Sequence, residues 1–539
     1  MTSWATSNIM SSATLIMDNI RDNCSVSGLV AGTAIAYISY SLLTALYNLT
    51  LHPLAKYPGS KLYGAFYFPA YWDIYQGHDS EIYKQQHEKY GPLVRVRPNR
   101  LSFSTAQATK DIYLTRHANN YTLAKDPDLF SEPIEGTPST LANVDAQNHK
   151  RQRRVISHAF STAALRDQED IVHRYTDMLI SRLHEKVTGP EKGKVEISLW
   201  FNFMAFDIIG DLAFADQSHS LETGENSSWM TALYENLSAS MFLRVCRAYP
   251  LAHFVVQSIM KLSPAVASII LKVKDDSTSK MMKRFESDTD RKDFTSHFLK
   301  HNNGHMTVAE LTANADFFMI AGSETTATLL SGMLYLLTQN PTAFKKLREE
   351  IDANFTSMSE MSFVKESQLP YLHACTEEAL RCYPPVPLDL PRVTPPHGAV
   401  DRRHPRTRKH QMSVGIHHLS TFHSARNFKN PMEFHPERWL GDKEYAGDEL
   451  AVLQPFSIGP RNCLGKAAVA VASRKSQQLT GAEKGLAYAE VRSIMTRLLW
   501  NFDVELLPES KNWMVGQKSF GLWKKGPLWV KLSVRKDRR

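Results

Sequence analysis

The chain has 539 residues, of which 43% are hydrophobic and 22% charged, and its 63 Lys and Arg against 55 Asp and Glu leave a net charge of +8. These values are typical of globular proteins and exclude a disordered, collagen-like or low-complexity chain. The five scattered cysteines lack the dense pattern of a disulfide-stapled secreted protein and favour a reducing compartment. The basic excess suits an acidic protein partner or an anionic membrane, but it is too diffuse to predict nucleic-acid binding.

The first predicted element is a membrane anchor at residues 26–47, preceded by a mostly polar tail at 1–25. The anchor runs for 22 residues without a charge, and at about 1.5 Å per residue it spans roughly 33 Å, enough to cross a bilayer. A buried globular helix is the alternative, because glycine and hydroxyl residues dilute the hydrophobicity. The Pro-rich segment 48–60 predicts a stiff hinge, and Lys56 and Lys61 predict that the following chain stays in the cytosol.

Residues 61–539 show neither an internal repeat nor a long linker, which predicts one large domain. Helical patterns dominate this part of the chain. The alternating runs LVRVRP and LSFS near its start, and FDVELL near its end, predict small sheets. The predicted fold is therefore mainly α with small β-sheets, behind an N-terminal transmembrane helix.

A long helix is predicted to begin at Thr307, whose spacing to Glu310 fits a capping box, and to end before Asn340 and Pro341. Apolar residues surround the middle of this helix on all sides, which predicts that it passes through the core. A buried helix of this kind can line a functional site.

The sequence AGSETT, residues 321–326, lies at the centre of the long helix. Gly322 is expected to permit close approach by a ligand, and threonine hydroxyls can bond back to the preceding turn. Glu324 and Thr325 place an acid and a hydroxyl at the same point. A core helix that merely contains small and polar residues remains the alternative interpretation.

A second helix is predicted from Tyr371 to Cys382, and EALR places Glu378 and Arg381 on one face of it. On a solvated surface such a pair contributes only about 0.2–0.5 kcal/mol. Arg438, in EFHPERW, is the candidate third partner. Its planar guanidinium could bridge a carboxylate and backbone carbonyls, which would fix this helix to the loop before the last motif.

The last motif, FSIGPRNCLG, has five residues whose types suit a cysteine that binds a metal. Gly459 and Gly465 allow a tight turn and the close approach of a flat cofactor, and they aim the sulfur of Cys463. Phe456 can shield this sulfur, and Arg461 can pair with an anionic group. The positive end of the helix expected after the cysteine would favour its thiolate form.

FSIGPRNCLG resembles the haem-binding loop of the cytochrome P450 family of haem-thiolate monooxygenases. AGSETT resembles that family's oxygen-activating helix, EALR with PERW resembles its Glu-Arg-Arg triad, and HKRQR, residues 149–153, resembles the helix that holds a haem propionate. These motifs in this order cover most of the chain. The amino-acid sequence of segments such as YGPLVRVRPNRLSF resembles that of filamentous-fungal members that act in secondary metabolism.

The resemblance implies a haem b cofactor and a role for each motif residue. It implies that Cys463 is the axial iron ligand, in a loop formed by Phe456, Gly459 and Gly465. It implies that Arg153, Arg461 and Arg392 pair with the haem propionates, and His149 stands where the family usually has Trp. Glu324 and Thr325 would deliver protons for heterolytic O–O cleavage, and Glu378, Arg381 and Arg438 would be structural residues. Substrate contacts are expected from 127–141, 241–254, 317–321 and 385–390.

The resemblance further implies a monooxygenase that inserts one atom of O2 into an apolar secondary metabolite of terpenoid or polyketide type. Electrons would come from NADPH through a membrane-bound reductase that carries FAD and FMN, with cytochrome b5 as an optional second donor. The implied location is the endoplasmic reticulum membrane, with a single pass and a cytosolic catalytic domain. The alternatives are a catalytically silent haem or ligand-binding homologue, and a haem-thiolate isomerase or dehydratase, against which the acid–hydroxyl pair weighs.

Two segments depart from the family's pattern. The 19 residues 467–485 separate CLGK from LAYAE directly behind Cys463, and a retained intron or a gene-model error is our hypothesis for them. The ligand turn survives if this segment loops out, and it suffers if the segment pulls the next helix away. Residues 395–413 are basic and polar where the family has an apolar β-hairpin. Their histidines lack the spacing of a metal site, which favours a solvated loop or a mistranslated segment.

Overall fold

The computed structural model describes residues 26–114, 122–130, 138–216, 218–227, 230–231, 241–263, 277–287, 291–395, 411–466 and 485–538. The predicted tail at 1–25 lies outside the described residues, as do 396–410 and 467–484 in the two unusual segments.

Helices make up most of the described chain, in agreement with the predicted fold class. In chain order they are α1 Val26–Thr50, α2 Lys61–Ala65, α3 Phe68–Gln76, α4 Asp79–Tyr90, α5 Ala106–Tyr113, α6 Ala146–Ile156, α7 Thr162–Thr188, α8 Ile197–Phe214, α9 Ser220–Thr223, α10 Pro250–Leu262, α11 Phe294–Asn302, α12 Val308–Gln339, α13 Pro341–Asn354, α14 Phe363–Glu366, α15 Pro370–Cys382, α16 His418–Phe422 and α17 Leu486–Asn501. Residues 241–247 and 277–286 are also helical.

The described strands form three small sheets. The strands are β1 Leu93–Arg97, β2 Arg100–Phe103, β3 Ala124–Lys125, β4 Lys194–Glu196, β5 Arg392–Val393, β6 Ser413–Ile416, β7 Phe502–Leu506, β8 Lys518–Ser519, β9 Trp523–Lys524 and β10 Trp529–Val534. The sheet orders are β1-β2-β6-β5-β3, β4-β10-β7 and β8-β9, and β2 with β6 is a parallel pair. The strands predicted from LVRVRP, LSFS and FDVELL are β1, β2 and β7.

The helix α1 is long and apolar enough to cross a membrane, with a mean hydropathy of 1.4 over residues 30–50 and only 6% of that window buried. It continues to Thr50, three residues into the predicted hinge. The hinge itself packs on the domain: Leu54 is fully buried, and the amide of Arg95 donates to the carbonyl of Pro58 at 2.7 Å. Because of these contacts the hinge is a fixed joint.

The helix α12 runs through the core, as its apolar surface predicts. Its capping box is present, since the Glu310 amide donates to Thr307 Oγ1 at 3.2 Å and the Thr307 amide donates to Glu310 Oε2 at 2.9 Å. α12 packs extensively against α8, whose side chains are almost all buried.

Gly322 serves this helix packing. A Cβ atom at Gly322 would lie 2.6 Å from Cδ1 of Ile209 on α8. Real Cβ atoms do not approach other carbons this closely, so a side chain here would force the Ile209 side chain or the helices themselves to shift. The glycine lets α12 and α8 touch.

Candidate active site

The loop that carries Cys463 is held by its own backbone. The Cys463 amide donates to the Phe456 carbonyl at 2.9 Å, and the Asn462 amide donates to the Gly459 carbonyl at 3.1 Å. Gly459 has a φ of +82°, and a Cβ atom there would lie 2.1 Å from the Tyr113 carbonyl oxygen. Only glycine fits this position, and the close approach is to α5.

Gly465 is less constrained than Gly459. A Cβ atom at Gly465 would lie 3.6 Å from Cys463 Sγ and 3.8 Å from the Ala487 Cβ, which are ordinary contact distances. The ring of Phe456 packs against that of Tyr488 on α17, with 5.2 Å between the ring centres and an angle of 42° between the ring planes. Phe456 therefore joins the loop to the helix behind it.

Cys463 is exposed to solvent, although enough protein surrounds it for burial to raise the pKa of its thiol. Exposure of the cysteine and burial of its surroundings are both explained if the sulfur lines an internal space. The backbone amides of Gly465 and Lys466 hydrogen-bond to it, and together with the Arg153 charge they act to lower its pKa. A sulfur that is open on one side, with donors behind it, is arranged to become a metal-bound thiolate.

A group of cationic side chains lies near Cys463: Lys125, Arg153, Arg392 and Arg461, with His149 among them. Lys125 and Arg392 are direct cross-strand partners on β3 and β5, and both are buried. Like charges placed opposite each other on a sheet destabilise it unless an anion lies between them. This cation cluster therefore indicates an anionic ligand.

The arginines of the cation cluster are held in place by neutral groups. Arg461 donates to the carbonyls of Asn143 and Val144 at 2.6 and 3.1 Å. Arg153 donates to the carbonyl and side-chain oxygens of Asn462 at 2.6 and 2.5 Å. These bonds orient the guanidinium groups without neutralising them.

Arg392 completes this set. It donates to the Leu390 carbonyl at 2.9 Å, and its Nε atom has no hydrogen-bond partner in the described structure. Among the described residues none of the four cations of the cluster forms a salt bridge. They therefore remain available to an external anion.

Burial shifts the pKa values of the cation cluster downwards, and repulsion by neighbouring cations adds to this shift for Lys125 and Arg461. Burial, Arg461, Arg392 and Arg153 hold the pKa of Lys125 well below its usual range. Burial and the neighbouring cations lower the pKa of His149 to about 3, so His149 is neutral. A ligand with two carboxylates would relieve this repulsion, and a haem, with its two propionates, fits both the cations and the cysteine.

Lys125 is the residue of this cluster that the sequence analysis missed. It lies just before the segment 127–141, which was expected to contact substrate, and no motif contains it. Its ammonium reaches the Leu141 carbonyl and lies 4.5 Å from the centre of the Phe130 ring. Only the pairing of β3 with β5 brings it beside Arg392.

Glu324 and Thr325 lie in the centre of α12, where the sequence places them. The Thr325 hydroxyl donates to the Ala321 carbonyl at 2.5 Å, the back-bond expected of a hydroxyl residue within a helix. Glu324 is buried and forms a salt bridge with Lys525, from the segment after β9. The sequence analysis did not anticipate this lysine, because no local pattern connects it to α12.

The structure brings Glu378, Arg381 and Arg438 together in the core. Arg381 donates to both carboxylate oxygens of Glu378 at 2.9 and 2.8 Å, and Arg438 Nε donates to Oε1 at 3.0 Å. Arg381 also donates to the Phe422 carbonyl at 3.0 Å. The three side chains are fully buried, so α15 is fixed to the chain that precedes the cysteine loop.

The cysteine loop and the centre of α12 are connected through α17. The Ala487 amide donates to the Gly465 carbonyl at 3.4 Å, and one turn further along α17 Glu490 accepts from the Thr326 hydroxyl at 3.1 Å. The cysteine loop and the centre of α12 are thus each joined to α17 by a hydrogen bond.

Three of the segments predicted to contact substrate also meet. Arg244, from 241–254, donates to Asp128, from 127–141, at 2.9 Å. A Cβ atom on Gly521 would lie 3.7 Å from Met241 and 3.9 Å from Leu388, so the hairpin of β8 and β9 borders two of these segments. Residues 131–137 of the first segment lie outside the described structure.

The described residues have the composition of a haem-thiolate site. They include an accessible cysteine with amide donors, a buried cation cluster, and an acid–hydroxyl pair in a core helix. Comparison with known proteins agrees with this class. The sequence matches the cytochrome P450 family over residues 64–472, and the chain belongs to this family. The match ends within the segment 467–485, as expected if that segment interrupts the family's pattern.

Several relatives of the chain are fungal enzymes. It is 37% identical over 510 residues to the cytochrome P450 monooxygenase efuB of Hormonema carpetanum, covering 94% of this chain and 96% of that protein. It is 37% identical over 516 residues to the monooxygenase astJ of Aspergillus oryzae, covering 94% and 97%. Averantin hydroxylase of Dothistroma septosporum is 35% identical over 526 residues, covering 95% and 93%. The predicted family, fold class and enzyme class are confirmed.

Proposed function

We propose that this cytochrome P450 monooxygenase inserts one atom of O2 into an apolar secondary metabolite of terpenoid or polyketide type. Electrons from NADPH reach it through a reductase that carries FAD and FMN, with cytochrome b5 as an optional second donor. The relatives support an oxygenase of this kind, since one of them is named a hydroxylase. The apolar helix α1 supports a single-pass anchor in the endoplasmic reticulum membrane, with Lys56 and Lys61 on the cytosolic side.

The observation that carries this proposal is the cation cluster beside Cys463. In our proposal Cys463 binds the haem iron, while Arg153, Arg392, Arg461 and Lys125 hold the propionates. When bound, haem supplies the redox-active iron at which O2 is activated. Burial and the neighbouring cations keep His149 neutral, so it would add no charge to a haem site beside it.

Glu324 and Thr325 have the role of moving protons in this proposal. Glu324 is a buried acidic side chain, and the Thr325 hydroxyl can both donate and accept a hydrogen bond. A pair of this kind can pass protons across the centre of α12 toward the space in front of Cys463. Glu378, Arg381 and Arg438 are structural, since they fix α15 and the loop.

The test of the proposed function uses the full chain with its reductase and NADPH. The reduced protein in carbon monoxide should show the Soret band of a haem thiolate, and Cys463→Ala should lose it. Metabolite profiling after gene deletion then identifies the substrate. A full complement of thiolate-bound haem with no NADPH-dependent product would instead support the catalytically silent homologue.

Thr325→Ala tests the proton relay. We expect the variant to keep its haem and its substrate affinity, but to consume oxygen without forming product in proportion, because general acid–base catalysis typically contributes about 10²–10⁴ in rate. Oxygen uptake and product are measured together, with Thr338→Ala, near the end of α12, as the matched control. Equal product per oxygen in wild type and Thr325→Ala would contradict the relay.

A further inference from the structure

Glu324 has a cationic partner, Lys525, that lies 201 residues away in the sequence. The Lys525 ammonium contacts Glu324 Oε1 and donates to the Thr328 hydroxyl at 2.7 Å. The Lys525 and Glu324 side chains are 6% and 9% exposed. The Thr328 hydroxyl is also 3.5 Å from Glu324 Oε1, so the ammonium is seated between two side chains of successive turns of α12.

Removal of one member of a buried ion pair is costly, because the remaining charge is left without compensation in a poorly polarisable environment. The other titratable group that senses Glu324 is Tyr383, whose pKa is held well above its usual range by burial and then by the Glu324 charge. The Tyr383 hydroxyl donates a hydrogen bond to the side-chain oxygen of Gln517. Within the described structure, Lys525 is therefore the cation that forms an ion pair with Glu324.

The hairpin of β8 and β9 carries Lys525 directly after its second strand. Trp523 on β9 stacks on the ring of Tyr383 at 5.4 Å and 12°, and its Nε1 donates to the Pro384 carbonyl at 2.8 Å. At the other end of the hairpin, Gly521 lies against Met241 and Leu388. The element that positions the ammonium therefore also borders segments expected to contact substrate.

We propose that Lys525 is a positioning residue for proton delivery: its ammonium pairs with the Glu324 carboxylate and holds it oriented along α12 beside Thr328. A hydronium ion of the solvent supplies the proton and is left as water. The proton converts the Glu324 carboxylate to the acid and then passes toward the Thr325 hydroxyl, which regenerates the carboxylate. Lys525 itself does not contact the reacting atoms. This inference rests on the role given to Glu324 in the proposed function.

The first test is spectroscopic and requires no turnover. In the infrared spectrum at neutral pH, Lys525→Met should gain a carbonyl band of a protonated carboxylic acid, because a buried carboxyl without a cation takes up a proton. The double variant Lys525→Met/Glu324→Gln should lack this band. Other acids that favour protonation, such as Glu490 and Asp316, contribute equally to each spectrum and cancel in the difference.

The second test is the pH profile of coupling, measured as product per oxygen consumed in the holoenzyme. Lys525→Met should flatten this profile and change kcat with little effect on KM, and Lys525→Arg should restore the wild-type profile because it keeps the charge. Lys524→Met, at the exposed neighbouring position, should behave as wild type. If Lys525→Met does not fold, Lys525→Gln removes the charge and keeps a hydrogen-bond donor.

The outcomes separate this inference from the proposed function. Unchanged coupling in Glu324→Gln would overturn the relay itself. If Glu324→Gln uncouples the enzyme but Lys525→Met shows no new carbonyl band and a wild-type pH profile, the relay stands and the positioning role of Lys525 is wrong.

Discussion

We expect Lys125 to destabilise the protein without haem and to strengthen the binding of haem. In the protein without haem its buried ammonium repels Arg392 across the sheet, whereas a propionate would turn the same charge into a favourable partner. Lys125→Met should raise the free energy of unfolding of the apoprotein. It should also weaken haem binding about tenfold or more, since a hydrogen bond to a charged group contributes roughly 1.5–3 kcal/mol.

Urea unfolding of the apoprotein and titration with haem measure these two effects. Lys110→Met, at an exposed position on α5, is the matched control and should change neither. A variant that loses stability and keeps its haem affinity would show that Lys125 has no part in propionate binding.

Glu490 gives a pH dependence of stability at the residue scale. Burial raises its pKa to about 8 from an ordinary 4.5, and its Oε1 atom has no hydrogen-bond partner in the described structure. Between these two pH values the unfolded chain releases the proton while the folded chain keeps it, so the free energy of unfolding falls as the pH rises. Each unit of pKa difference is worth about 1.4 kcal/mol.

Glu490→Gln should remove this contribution, so the variant gains stability relative to wild type on going from pH 5 to pH 8. Denaturant unfolding at a series of pH values measures the difference. The amide still accepts from Thr326, which leaves the remaining contacts of the site in place. Parallel curves for the two proteins would contradict a protonated Glu490 in the folded state.

At the scale of elements, α17 continues the cysteine loop as if residues 467–484 were not there. Gly485 and Leu486 take the two places after Lys466, and the bond from the Ala487 amide to the Gly465 carbonyl then has the four-residue spacing of a continuous α-helix. We expect deletion of 467–484 to leave the haem-thiolate Soret band at full or greater intensity.

A shorter deletion, of residues 467–482, is the matched control. It leaves two extra residues, which turn α17 by about 200° relative to the loop and misplace Tyr488 and Glu490. This variant should bind less haem than the full deletion. Loss of the Soret band in the full deletion alone would mean that the inserted segment is needed, and native peptides that span it would refute the retained-intron hypothesis.

At the scale of the whole molecule, two helices of the described part of the chain are long and apolar enough to cross a membrane, and only their surroundings distinguish them. Residues 197–214 are 89% buried, whereas residues 30–50 are 6% buried. Removal of residues 1–44 spares Ala45 and Asn48, which pack on the domain. The shortened protein should move from the membrane to the soluble fraction after centrifugation and retain its Soret band.

A shortened protein that stays in the membrane fraction would show that another surface holds it there. The full-length chain expressed in parallel is the control for fractionation.

The sequence by itself determined the elements whose signals are local. Thr307 and Glu310 define the start of α12, Pro384 follows the end of α15, and alternation defines β1 and β2, because caps, proline and periodicity act over a few residues. The cysteine motif likewise has its glycine and cysteine within one loop. These features were sufficient to predict the family and the fold class.

Tertiary structure alone decided which distant residues meet. Lys125 joins the cation cluster through strand pairing, Gly322 faces Ile209 through helix packing, and Lys525 reaches Glu324 from the far end of the chain. No local pattern records such contacts, because they depend on how the elements fold against one another. The strength of each charge then follows from burial, which a sequence does not display.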